Sequence, residues 1–88
     1  MNMSKRQLHI DLHPVAKNSA GIDTALSTLL AEAEAKRIQK AEVITGKGSG
    51  QLKKRVLKFL QQPAVAKRYH RVEVDAKNHG RLFIHFRH

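Results

Sequence analysis

The chain predicts a two-layer α/β sandwich of order β-α-β-α-β-β, with a four-stranded mixed sheet and both helices on one face. Three observations point there. Apolar residues alternate with polar ones at Leu8, Ile10 and Leu12 and again at Leu82, Ile84 and Phe86, the period of half-buried strands. Two intervening stretches carry apolar residues at helical spacing instead. Right-handed strand–helix–strand crossovers then place both helices on one side, provided successive strands add in one direction.

Each element has its own signal. His9, Asp11 and His13 fill the polar half of the first strand, and Pro14 ends it. Asn18 or Ser19 can cap a first helix over about residues 19–37, with Ile22, Ala25, Leu26, Leu29, Leu30 and Ala33 along one stripe. A basic turn leads to a second strand at residues 41–45. A second helix over about residues 51–61 puts Leu52, Val56, Phe59 and Leu60 together, and Pro63 stops it. Residues 69–75 make a third strand with Val72 and Val74 inward. Lys77-Asn78-His79-Gly80 turns the chain into a fourth. The polar sheet face is then expected to show His9, Asp11, His13, Arg71, Glu73, Asp75, Phe83, His85 and Arg87. Residues 1–6 are expected to be a flexible N-terminal segment and residues 7–88 a single domain.

The 88 residues contain no cysteine, so neither disulfides nor thiolate metal sites enter. Nothing approaches the length of an apolar membrane span, and no signal-peptide pattern opens the chain; a cytoplasmic protein is expected. The net charge of +10 is the strongest compositional fact. Nucleic acid is the partner it favours, because the excess is clustered rather than spread. A membrane surface would need an exposed apolar helix face, and those faces are required for the core.

The cluster surrounds Thr45-Gly46-Lys47-Gly48-Ser49-Gly50, a glycine-rich turn between the second strand and second helix. Such a turn aims backbone N–H groups and a helix dipole at one point, where an anion is the natural occupant. Between Val43 and Val72 there is no Asp or Glu, while Lys53, Lys54, Arg55 and Lys58 follow the turn directly. Cations in the first turn of a helix oppose its dipole, at roughly 0.3–1 kcal/mol each. Phosphate bound from outside would reverse that cost. Lys47 and the Gly46, Gly48 and Gly50 amides are the expected cradle, although the same glycines would also serve a plain strand-to-helix turn. The Walker spacing is absent, so this is no nucleotide-binding P-loop.

Asp11 and His13, two apart on a strand, should leave the same face. A carboxylate beside an imidazole orients the ring for general acid–base work near neutral pH. The pair could equally be a structural strand end. No motif calls for a cofactor. The pair offers two ligands to a divalent metal such as Mg or Mn, too few for a tight site without substrate phosphates. His9, Phe83 and His85 with Arg71 and Arg87 suggest a small stacking surface.

Asp-Leu-His at the end of a first strand, paired with Thr-Gly-Lys-Gly-Ser-Gly after a second and a basic helix behind it, resembles the Smr (small MutS-related) domain family over residues 8–86. The resemblance implies a fold like the C-terminal domain of translation initiation factor three. It also implies DNA or RNA binding, endonuclease or nicking activity in several members, and ribosome-associated roles in others. The chain departs from the family pattern at Pro14, where many members have Gly, and at Thr45, where many have His. In the last hairpin Gly80 stands where the family is richer in glycine. Two readings follow: a nucleic-acid-binding domain with phosphodiester chemistry at Asp11 and His13, or a non-catalytic adaptor for structured RNA or the ribosome. A monomer is expected, with the open-face Phe83 leaving room for a dimer.

Overall fold

The computed structural model describes residues 7–46 and 50–87. The expected flexible segment 1–6, His88, and the turn residues Lys47, Gly48 and Ser49 lie outside the described residues. The chain runs β1 (Gln7–Asp11), a one-turn 3-10 helix (His13–Val15), α1 (Ser19–Lys36), β2 (Lys40–Ile44), α2 (Gln51–Leu60), α3 (Pro63–Ala66), β3 (Arg71–Val74) and β4 (Arg81–His85). The sheet order is β1-β2-β4-β3. β1 and β2 are parallel, and β4 is antiparallel to both its neighbours.

The expected four strands and two helices are all present, and the mixed sheet is as predicted. The strands do not add strictly in one direction, because β4 inserts between β2 and β3. Both crossovers still advance the same way across the sheet, so right-handedness leaves both helices on one face. One cluster joins Leu26, Leu30 and Ala33 of α1 with Val56 and Leu60 of α2 over Ala41, Val43, Leu82 and Ile84. Central strands β2 and β4 bury alternate residues completely, which is why the C-terminal strand takes the middle.

α1 begins where its cap predicts. The Asn18 side chain accepts from the Gly21 amide at 3.0 Å. It ends at Lys36, one residue short of the expected boundary, because Arg37 turns left-handed at φ 52°. Its amide returns to the Ala33 and Glu34 carbonyls, closing the helix end.

Three expectations need correction. Pro63 does not merely stop a helix: α2 ends at Leu60 and Pro63 opens the short α3, where a missing N–H costs nothing. The third strand is shorter than predicted, and Val74 is 45% exposed rather than inward. It pairs with buried Leu82 but sits at the end of an edge strand, without a neighbour on its outer side in the sheet. Phe83, expected open, is half-buried with Lys40 Nζ 5.0 Å and the Arg81 guanidinium 5.1 Å from its ring centre. Its own sheet neighbours take up the π-face, so the predicted stacking platform is occupied from within.

Candidate functional site

Asp11 and His13 meet, but not through strand pleating. β1 stops at Asp11, and the Leu12 amide adds one further rung to β2 by donating to the Ile44 carbonyl at 3.0 Å. Leu12 is fully buried, which anchors this corner. The chain then folds into the 3-10 turn with Pro14 near its start. One carboxylate oxygen of Asp11 accepts from the His13 backbone amide at 2.9 Å and faces the ring Nδ1 at 3.1 Å. An ionised carboxylate can only accept, so this contact puts the ring hydrogen on Nδ1 and leaves Nε2 as the basic nitrogen. Both side chains remain more than half exposed.

Nε2 faces Gly46. That glycine has φ 81°, and a methyl group placed on it would run into Nε2 and Cε1 of His13. The two sequence motifs are therefore in direct contact, with glycine required for backbone and space alike. The neighbouring Thr45 and Gly46 amides donate to one acceptor, the Gly80 carbonyl, at 2.7 and 2.9 Å. This corrects one expectation, because the Gly46 amide is already bonded and is no phosphate donor. Lys47, Gly48 and Ser49, the rest of the expected cradle, lie outside the described residues.

A cleft of about 320 Å³ opens beside this contact, walled by His13, Ala16, Lys17, Thr45, Gly46 and the start of α2 from Gly50 to Lys53. Gly50 stands at the N-cap of α2 in the left-handed conformation and, as glycine, brings no side chain of its own to cap that helix end. Thr45 is 5% exposed, and its hydroxyl is buried with no hydrogen-bond partner among the described residues. A polar atom in that state costs about 1–3 kcal/mol.

Charge separates the candidates. Every one of the seven acidic residues has a partner: Asp11 with His13, Asp23 with Arg55, Glu32 with Lys36, Glu34 with Arg68, Glu73 with His85, and Glu42 and Asp75 with Arg81. Among the described residues, Lys17, Lys53, Lys54 and Lys58 have no acidic partner. Arg55 differs from its predicted companions, since its Nη2 is held by both carboxylate oxygens of Asp23 at 2.9 and 3.0 Å. Sequence reasoning missed Lys17. The signal was its spacing of four from His13, once Pro14 is read as opening a helical turn rather than as a stop.

The last hairpin braces the site. Asp75 accepts from the Lys77 and Asn78 amides, Asn78 accepts from the Gly80 amide, and Arg81 ties Asp75 to Glu42. The Arg81 guanidinium, followed by the Lys77 amide, holds the Asp75 carboxyl below its ordinary 3.8. A depressed folded value means that this stabilisation is present above about pH 4 and is lost as pH falls through the lower folded value. Asp75→Asn is expected to lower the melting temperature at neutral pH, with the gap to wild type closing below about pH 4. Thermal unfolding from pH 7 to pH 2 measures it.

Among the described residues, no group of three or more metal-ligating side chains comes together. Asp11 directs one oxygen at both His13 donors, so the pair is a poor chelate. No described helix is long and apolar enough to cross a membrane.

No curated protein matches the chain. The crystal structure of the Smr domain of Thermus thermophilus MutS2 superposes with a TM-score of 0.71, at 19% identity, covering 94% of this chain and 99% of that one. At that identity the likeness speaks for the fold. The family model for the Smr domain matches residues 10–87, from the strand that carries Asp11 to the end of the hairpin that braces Gly46. The chain belongs to the Smr domain family.

Proposed function

We propose that this domain binds nucleic acid by capturing a backbone phosphate in the cleft between His13 and the start of α2, and cleaves the phosphodiester there. The observation that carries the reading is the cleft itself, where Lys17 and Lys53, without acidic partners among the described residues, meet the start of α2 beside the contact of His13 with Gly46. A phosphate oxygen would meet the α2 dipole and the charges of Lys17 and Lys53 together. Lys54 and Lys58 continue the basic track along α2. Nε2 of His13, oriented through Nδ1 by Asp11, would serve as general acid or base, and the preset cations would stabilise charge developing on the phosphate.

One observation favours a non-catalytic adaptor for RNA or the ribosome. The Gly46 amide is taken by Gly80 and Pro14 has no N–H, so two donors that could stabilise a transition state are missing.

Binding is tested with labelled single- and double-stranded RNA and DNA across a salt series. The logarithm of affinity should fall linearly with the logarithm of salt. Lys17→Ala and Lys53→Ala should each reduce that slope by about 0.7–0.9, one phosphate contact's worth. Arg37→Gly supplies the control, because α1 runs about 27 Å between the cleft and that end. Equal slopes in all three variants would remove the cleft from the interface. Incubation of the same substrates with and without magnesium separates cleavage from the adaptor reading.

A further inference from the structure

Among the described residues, β3 has β4 as its one neighbour in the sheet, so its outer edge is open. Three of its four residues, Arg71, Glu73 and Val74, are exposed. Val74 is the one large hydrophobic residue exposed among the described residues. Arg71 has no acidic partner there, and Glu73 uses only Oε1 on His85. The ladder fixes which way the β3 backbone points. The Phe86 amide donates to the Gln39 carbonyl and the Thr45 amide to the Gly80 carbonyl. Even-numbered residues along β4 therefore turn their backbone groups to β2, and odd-numbered ones turn theirs to β3. Arg71 and Glu73 stand opposite His85 and Phe83 and bond inward. The N–H and C=O groups of Val72 and Val74 are left facing outward.

We infer that β3 pairs with the β3 of a second copy of this chain, antiparallel about a two-fold axis normal to the sheet, so that the two sheets become one. Such an axis keeps each sheet face on its own side, and opposing residues must then belong to the same face. Centring it on Val72 sets Arg71 opposite Glu73 of the partner subunit, and Glu73 opposite the partner's Arg71. Both are non-hydrogen-bonded pairs, the positions where cross-strand side chains approach most closely. Val72 meets the partner's Val72, and their outward amides and carbonyls bond reciprocally. Centring the axis on Glu73 would set two carboxylates against each other, and on Arg71 two guanidinium groups. Charge therefore selects one register. Charges that only guard an edge have no need to complement their own copy. The phosphate cleft lies at the ends of β1 and β2, with β4 between them and this edge, so dimerisation and phosphate capture are separable.

Analytical ultracentrifugation of the whole chain at physiological salt, over a concentration series into the millimolar range, reads the equilibrium. So short an edge makes a small interface, and wild type is expected to dimerise weakly, in the upper micromolar range. Arg71→Glu and Glu73→Arg each turn both cross-strand pairs into like charges. Each alone should weaken self-association at least about tenfold. Mixed together, the two variants regain both opposite-charge pairs and should associate with the wild-type affinity, a recovery that misfolded chains could not show. Val74→Pro removes an outward donor while sparing the bonds to β4, and should weaken the dimer by a different route. In wild type, the Val72 and Val74 amides should exchange with solvent more slowly as concentration rises. Wild type that stays monomeric into the millimolar range would overturn the dimer and leave the edge to a strand of another protein. A dimer equally tight in both charge variants, or charge variants that fail to associate when mixed, would overturn it as well.

Discussion

Gly46→Ala should lower stability more than Gly50→Ala, although both glycines flank one turn and both have φ above 80°. Left-handed backbone costs a non-glycine residue about 1–2 kcal/mol, and that is the whole expected effect at Gly50, where an added methyl meets nothing within 4 Å among the described residues. At Gly46 the same methyl lands on the His13 ring. The exposed imidazole must swing away and give up its contact with Asp11, adding about 0.5–1.5 kcal/mol. In a domain this size each kcal/mol moves the melting temperature by roughly 4–8 °C, so the two variants are readily told apart. The decisive comparison is the double variant. Removing His13 first leaves space for the methyl, so Gly46→Ala in a His13→Ala background should cost no more than Gly50→Ala. A coupling of at least about 0.5 kcal/mol is expected from residues in contact. Strict additivity would mean that the imidazole does not rest on Gly46. Ring resonances of His13 should shift in Gly46→Ala and stay in place in Gly50→Ala.

What the sequence disclosed follows the range of the forces involved. Strand alternation at Leu8, Ile10, Leu82 and Ile84 and the apolar stripe from Ile22 to Ala33 are local patterns, and the elements they predict are present. The Asp11–His13 contact was legible as a pair yet forms through a turn, because the pleat ends at Asp11. Long-range features left no local trace. Nothing near Gly80 announces that its carbonyl will accept from both Thr45 and Gly46, and nothing near Arg55 that Asp23, 32 residues away, will hold it. Both depend on β4 entering the sheet beside β2 and on α1 packing beside α2. Charge counting alone made Arg55 equivalent to Lys53 and Lys54. Geometry divides them, because Asp23 holds Arg55 while Lys53 and Lys54 have no acidic partner among the described residues.

The proposed cleavage chemistry makes His13→Ala the variant with the largest functional effect. Proton transfer by a positioned side chain contributes about 10²–10⁴-fold, and no other described imidazole lines the cleft to replace it. Turnover should fall by that factor while affinity holds, since Lys17, Lys53 and the α2 start remain. Asp11→Ala should fall less far. It frees the ring and removes the contact that fixes Nδ1 as the protonated nitrogen, but Nε2 is still present. Lys53→Ala should show the opposite split, losing affinity along with rate because it acts on ground state and transition state together. On RNA, a cyclic phosphate at the new end would identify the 2′-hydroxyl as the nucleophile whose proton Nε2 accepts. Wild-type rates in the His13 variant would make the pair a strand terminus held by an Asx turn. The domain would then be an adaptor whose cleft grips phosphate without cutting it.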